Sequence, residues 1–276
     1  MGVLLGALSS VLYGIGDFLG GEGAKRVTAA TVVIWAGVVS FPLIAVLAFV
    51  TGGDATSRDL WFGAAGGIAG AVGLVTLFAG LGRGQAAAVA PAAAAFSGVF
   101  PVLVAVFSGD AIGGLTWLGV GIAVPAIILS SWVADPGEVP FGGVWYGLVA
   151  GLGFGTYTVL LDLTGTGSGL LPLVPARAAT MFTVAAISLA GLWRVSGFST
   201  IPKGIVFGNG LLDVSGNVAL LLALRAGTLA PVAVAASFYP AVTVVMARMV
   251  NSEHLRLRQV VGIALTLSSL TAIALG

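Results

Sequence analysis

Long apolar runs, separated by short polar stretches, dominate the sequence from one end to the other. About 20 apolar helical residues cross the ~30 Å hydrocarbon layer of a bilayer. The runs are continuous rather than alternating, which favours membrane helices over the strands of a β-barrel. The pattern therefore predicts ten membrane-spanning helices, at 3–22, 29–51, 60–82, 86–108, 113–133, 142–164, 170–193, 203–225, 228–250 and 257–275.

The second half of the sequence repeats the first. The stretch LVTLFAGLGRGQAAAVAPAAAAFSGVFP (74–101) is echoed by VALLLALRAGTLAPVAVAASFYP (218–240). The similarity divides the chain into two units of five predicted spans, 1–135 and 140–276. Because five is odd, the second unit must enter the bilayer from the opposite face. The expected fold is an all-α integral membrane protein with ten transmembrane helices in two inverted-topology five-helix repeats, which transporters use for alternating access.

Composition adds to this picture. Hydrophobic residues make up 58% of the chain and charged residues 8%, whereas a soluble domain carries roughly 25% charged residues. Cysteine is absent and His254 is the only histidine, so we expect neither a metal site nor another cofactor. The sequence also lacks a nucleotide-binding motif placed after a strand. A gradient or an exchange reaction is therefore expected to drive transport, and no nucleic-acid partner is expected.

Glycine is abundant, with 43 residues, and several glycines recur at four-residue spacing within the predicted spans. Gly147, Gly151 and Gly155 of the sixth span are one such series. Small residues at this spacing let helix backbones approach closely in lipid, where the hydrophobic drive for helix association is missing. We therefore expect tight helix contacts along this series.

Two stretches resemble a known transporter family. YPAVTVVMARMVNSEHLRLRQVVGIAL (239–265) is similar to the signature at the ninth and tenth helices of the EamA branch of the drug/metabolite transporter superfamily. YGIGDFLGG (13–21), which precedes the basic pair Lys25 and Arg26, resembles the first helix of that family. The resemblance covers the whole chain and makes each half EamA-like. It implies a multi-pass transporter of the cell inner (plasma) membrane with both termini in the cytoplasm.

A polar stripe crosses the middle of the eighth predicted span. Asn209, Asp213 and Asn217 follow one another at four-residue spacing and so project from one helical face. Polar groups at mid-bilayer cannot face lipid without a large penalty. The stripe is therefore either the wall of a substrate cavity or a hydrogen-bond clamp between helices.

Arg177 lies inside the seventh predicted span, behind two prolines. Its guanidinium cannot shed its charge, so it needs an anion or a watery cavity. Two interpretations follow. Arg177 either lines the cavity, with Asp213 as its partner, or extends to the near membrane surface.

Asp17 follows Gly14 and Gly16 in a Gly-x-Gly-Asp run, which is how intramembrane aspartyl proteases present one catalytic carboxylate. Such a protease needs a second aspartate on a preceding helix, and no span precedes the first one. Asp17 could otherwise line the cavity and handle protons, or lie near the helix end and face Lys25 or Arg26.

Three tyrosines lie near the middle of predicted spans: Tyr13, Tyr157 and Tyr239. Tyr239 precedes Pro240, where a helix loses one backbone hydrogen bond and can bend. Their rings could stack on a substrate or a cation, although most aromatic side chains in apolar helices serve only for packing.

The basic residues disagree with the orientation that the resemblance implies. Excess Lys and Arg normally mark the cytoplasmic loops. Two basic residues fall on the face of the termini, Arg58 and Arg225, and eight fall on the opposite face: Lys25, Arg26, Arg83, Arg194, Lys203, Arg248, Arg256 and Arg258. We adopt cytoplasmic termini from the resemblance, against this count.

The sequence thus predicts a secondary active transporter, an exporter or exchanger, for a small polar or amphipathic metabolite such as an amino acid. We expect a monomer in the lipid bilayer, with protons as a coupling ion. The substrate would bind to Tyr13, Tyr157, Arg177, Asn209, Asp213, Asn217 and Tyr239, and Asp17 or Asp213 would carry the proton. The alternatives are an intramembrane enzyme, such as an aspartyl protease that uses Asp17 and a second carboxylate, or a passive pore.

Overall fold

The computed structural model describes residues 1–83, 86–109, 113–131, 141–191, 193–251 and 257–275. These residues form α-helices joined by short connections, one of which holds a 3₁₀ turn at Thr166–Ser168, and they contain no strand. The α-helices are α1 Gly2–Ala24, α2 Ala29–Thr51, α3 Ser57–Gly82, α4 Ala86–Phe107, α5 Gly114–Ser131, α6 Phe141–Asp162, α7 Leu173–Leu189, α8 Lys203–Ala226, α9 Leu229–Ala236, α10 Tyr239–Asn251 and α11 Leu257–Leu275.

Five helices are long and apolar enough to cross a bilayer: α1, α2, α3, the Gly143–Asp162 part of α6, and α8. Their outer faces, and those of their neighbours, expose large apolar side chains that water would not tolerate, such as Phe49 at 87% and Leu189 at 90%. The prediction of an all-α chain with membrane-spanning helices is confirmed at this level. The expected boundary between the two units, at 135–140, lies outside the described residues.

The predicted spans agree with the helices to within four residues at each end, with one exception. The ninth span, expected to be continuous over 228–250, is divided into α9 and α10. Pro240 has no N–H to donate, so the backbone cannot continue its regular bonding through this point. The N–H of Ser237 closes α9 onto Ala233 and Val234, and that of Ala241 bonds to the carbonyl of Phe238. The expectation of one continuous helix is wrong here.

Helix packing pairs the two halves of the chain in a regular way. α1 packs against α8, α9 and α10, while α6 packs against α3 and α4. α2 and α3 lie against α7, and α2 also contacts α8. α5 and α11 pack chiefly on each other, and the hydroxyl of Ser269 donates to the carbonyl of Gly119 at 2.7 Å across that pair.

Glycines allow these close approaches, as the sequence predicted. A Cβ atom at Gly147 or Gly151 would lie 2.5 Å from a carbonyl oxygen of α4. A Cβ atom at Gly67 would lie only 2.0 Å from the carbonyl oxygen of Ala176 on α7. Ordinary carbon–oxygen contacts are more than 3 Å apart, so no larger residue fits at these positions without moving a backbone.

Loops fasten the two halves together at both ends of the bundle. At one end, the connection between α6 and α7 (163–172, the α6–α7 loop) is held by Asp59, whose Oδ1 accepts from the N–H of Gly165 at 2.6 Å. Arg225 of α8 donates to the carbonyl of Thr164 in the same loop at 2.6 Å. At the other end, the N–H of Ser196 donates to Thr31 Oγ1 at 2.9 Å.

Candidate functional site

A cavity of about 830 Å³, its opening included, lies in the middle of the bundle. Its walls come from α1, α2, α3 and α4 of the first half and from α6, α7, α8, α9 and α10 of the second. Most of the lining is apolar, and the notable polar side chains are Tyr13, Asp17, Tyr157, Arg177, Asp213 and Asn217. A mostly apolar pocket with a few convergent polar groups is the usual form of a small-molecule site.

An ion pair between Arg177 of α7 and Asp213 of α8 forms the polar centre of this cavity. The two side chains are only 9% and 12% exposed, respectively. The expected partnership of Arg177 with Asp213 is therefore present, and the alternative in which Arg177 extends to the membrane surface is wrong. Since each charge would be costly without the other in this environment, the pair fixes the relative position of the two helices.

The three polar residues of the stripe on α8 lie in two different environments. Asp213 and Asn217 line the cavity. The side-chain amide of Asn217 donates to the carbonyl of Asp213 at 2.7 Å, and its oxygen accepts a hydrogen bond from the hydroxyl of Tyr157. These contacts join α6, α7 and α8 in one polar network around the ion pair.

Asn209, the third polar residue of the stripe, contacts α1 instead of the cavity. Its Nδ2 donates to the carbonyl oxygen of Gly16 on α1 at 2.8 Å, its side chain is 3% exposed, and it does not line the cavity. The structure does not bring Asn209 to the cavity with the other predicted site residues, because the close approach of α1 near Gly16 takes up its amide. Asn209 is the hydrogen-bond clamp that the sequence offered as an alternative.

Asp17 lies about two turns before the end of α1 and lines the cavity, where it is 7% exposed. The structure does not place Asp17 at the helix end facing Lys25 or Arg26, because Asp17 lies in the cavity wall and Lys25 pairs with Glu22. Within the described part of the chain, no hydrogen bond or ion pair is recorded for the Asp17 carboxylate. The structure therefore presents a buried acid whose oxygens are free to meet a ligand.

All three predicted tyrosines line the cavity. The ring of Tyr13 lies over Gly216 of α8, where a Cβ would come within 2.8 Å of the ring. Tyr239, at the start of α10, meets Phe154 edge-to-face with ring centroids 6.0 Å apart. Tyr239, directly after the break between α9 and α10, and Phe154 of α6 thus form an aromatic pair in the cavity wall.

Four hydroxyl side chains in the cavity wall were not predicted: Ser97, Thr158, Thr180 and Ser237. Each hydroxyl lies within hydrogen-bond distance of a carbonyl three or four residues earlier in the chain, and that of Thr180 also reaches the carbonyl of Gly67 on α3. Their remaining lone pairs can accept hydrogen bonds from a bound molecule. The only signal in the sequence was a small hydroxyl residue in an apolar helix, which is too common to single out a site.

Comparisons with known proteins bear on the fold. No family model matches the chain, and no curated protein matches it. A solved structure described as "Crystal structure of protein" superimposes with a TM-score of 0.74 at 13% identity, covering 99% of this chain and 98% of that one. The two chains share a fold. Because the identity is low, this likeness carries no activity or substrate to the present chain.

Proposed function

We propose that the protein is a secondary active transporter that moves a small polar or amphipathic metabolite across the membrane by alternating access. The observation behind this proposal is the position of the cavity. It lies at the level of Tyr13, the midpoint of α1, and of Asp213, close to the midpoint of α8, and both halves of the chain contribute to its walls. Transporters built from repeats place their substrate site at this depth between the repeats.

Reciprocal helix contacts support two inverted five-span repeats. The first helix of each half packs against the third helix of the other half, α1 on α8 and α6 on α3. The first helices also pack on the fourth elements, α1 on α9 and α10, and α6 on α4, and the fifth helices, α5 and α11, pack on each other. A two-fold axis between two five-span units produces this exchange of partners. The units we propose are 1–135 and 140–276.

When the two halves rock against each other during transport, the loop contacts at the two ends of the bundle would open in turn. Asp59 and Arg225 hold the α6–α7 loop at one end, and Thr31 holds Ser196 at the other. Asp59 and Thr31 belong to the first half of the chain and contact loops of the second half. Arg225 belongs to α8, in the second half, and contacts the α6–α7 loop. In an alternating cycle, one set opens while the other stays closed, and the cavity becomes accessible from one side at a time.

Within the cavity, we assign the polar network to substrate binding. Asp17, Asn217 and the Arg177–Asp213 pair surround the polar part of the substrate, and the rings of Tyr13 and Tyr239 cover its apolar part. Asp17 or Asp213 carries the coupling proton. A multi-pass location in the cell inner (plasma) membrane, a monomeric state and cytoplasmic termini complete the proposal, and reporter fusions at the two termini test the last point.

A counterflow assay tests the proposal. Purified protein in proteoliposomes is loaded with one member of a panel of amino acids, polyamines and organic cations, and uptake of the labelled compound is followed. We expect at least one member to accumulate transiently, Asp213→Asn to abolish this, and Asp54→Asn, an exposed loop acid, to leave it unchanged. If Asp213→Asn retained both transport and its pH dependence, the role of Asp213 would be refuted.

The enzyme alternative lacks a supporting observation. An aspartyl protease would need a second carboxylate beside Asp17. Asp213 is instead paired with Arg177, and no contact between Asp17 and Asp213 is recorded over the residues that the structure describes. We therefore retain the transporter as the function that the geometry supports best.

A further inference from the structure

Among the described residues that line the cavity, one acidic side chain has no basic partner. Arg177 and Asp213 pair with each other, which leaves Asp17 as the remaining acidic group of that lining. We propose, on the basis of the transporter function above, that Asp17 receives the ammonium group of a monocationic amphipathic amine. The substrate class is thus an organic amine with one positive charge, an apolar body and no carboxylate.

The surroundings of Asp17 favour a cation that comes with the ligand. On α1 itself, Lys25 is engaged by Glu22. From α8, Asn209 donates to the Gly16 carbonyl rather than to the acid, and Asp213 is paired with Arg177. No described basic side chain therefore reaches this carboxylate, although an isolated charge in a membrane protein interior is costly. A bound ammonium group removes that cost and forms a charge-assisted hydrogen bond.

Neighbouring rings fit the same ligand. Tyr13 lies one turn before Asp17 on α1, and Tyr239 and Phe154 form an edge-to-face pair in the wall of the same cavity. Aromatic faces attract organic cations, most strongly where water is excluded. The rest of the wall is largely apolar, including Ile44 and Leu74, and suits a hydrocarbon body.

The state of Arg177 argues against an amino acid or an organic acid. A ligand carboxylate would need a basic partner, and the Arg177 guanidinium is already bound by Asp213. A ligand carboxylate that used the remaining N–H groups of Arg177 would place two carboxylates on one buried guanidinium, and the second negative charge would have no basic partner of its own among the described lining residues. An amine meets no such competition.

Three small molecules with the same phenyl body separate these cases. Phenethylamine has the amine alone, phenylalanine adds a carboxylate, and 3-phenylpropanoate has the carboxylate alone. Binding to the detergent-purified full chain is measured by isothermal titration calorimetry. We expect phenethylamine to bind most tightly and 3-phenylpropanoate most weakly. Tighter binding of phenylalanine or 3-phenylpropanoate, or no phenethylamine binding, would overturn the proposal.

Variants of Asp17 test whether the amine group binds to this residue. We expect Asp17→Asn to weaken phenethylamine binding by about tenfold or more, the loss of one charge-assisted hydrogen bond, and Asp17→Glu to restore most of it. Asp54→Asn, on the α2–α3 loop, should bind as the parent does. Unchanged affinity in Asp17→Asn would contradict the assignment. If Asp17→Asn does not fold, the order of the three ligands on the parent protein still decides.

The binding assay is independent of transport. If phenethylamine does not bind while another compound shows counterflow, the amine assignment fails and the transporter stands. If phenethylamine binds through Asp17 while no compound in the panel shows counterflow, the transporter proposal fails and the binding site stands.

Discussion

Separating the two members of the buried ion pair gives the sharpest test of how the cavity is built. We consider Arg177→Met, Asp213→Leu and the double variant, because both side chains are about nine-tenths buried. Each single change leaves one charge buried without its partner, which costs about 3–5 kcal/mol. The double change removes both charges and replaces them with apolar groups, and such replacements are often neutral or stabilising.

Thermal unfolding of the detergent-purified proteins measures these changes in stability. For a chain of this size, each kcal/mol lowers Tm by about 2–4 °C, so each single variant should lose roughly 6–20 °C. The double variant should recover most of that loss. A coupling free energy of about 3 kcal/mol or more from the double-mutant cycle would show that the two groups act as a unit.

Additive stability losses in the two single variants would refute this reasoning. If the two single losses were small and summed to that of the double variant, Arg177 and Asp213 would be separately solvated rather than paired. Asp54→Asn, which removes an exposed acid from a loop, serves as the matched control and should leave Tm unchanged.

Further predictions concern packing and the ends of the bundle. Gly67→Ala should lower stability by about 1–3 kcal/mol, because its Cβ would overlap a carbonyl of α7, whereas Gly121→Ala, with open space around it, should be neutral or slightly stabilising in the same thermal assay. Asn209→Ala should lower stability by about 1 kcal/mol without changing ligand affinity, and Asn217→Ala should weaken ligand binding instead; equal effects on both would contradict the division of the stripe. Asp59→Ala should speed amide hydrogen exchange in the α6–α7 loop by roughly three- to tenfold, measured by mass spectrometry, because the loop loses its anchor; unchanged exchange would mean that other contacts hold the loop.

Much of the fold could be predicted from the sequence because apolar run length and helix length are set by the same bilayer thickness. The bend in the ninth predicted span was indicated by Pro240, but its extent was not. Whether a proline only bends a helix or divides it depends on the neighbouring packing. Here Ser237 and Phe238 leave the helix, and Phe238 is buried at 2% exposure.

The site was only partly predictable, for a related reason. Four-residue spacing identified the face of α8, and the need of Arg177 for an anion indicated Asp213. Spacing could not tell that Asn209 meets a backbone carbonyl of α1 while Asn217 meets the cavity. That difference depends on how closely α1 approaches each turn of α8, which is a tertiary property.

The pairing of α5 with α11 has a consequence for how such a chain can change. Neither helix contributes a side chain to the described lining of the cavity, and their contacts with the other helices are few compared with their contacts with each other. They therefore form a pair at the side of the nine helices α1–α4 and α6–α10, which carry the polar groups described for the cavity. Substitutions, fused partners or surface labels placed on the outward side of this pair should leave ligand selectivity intact, which makes it the natural attachment point for engineering the protein.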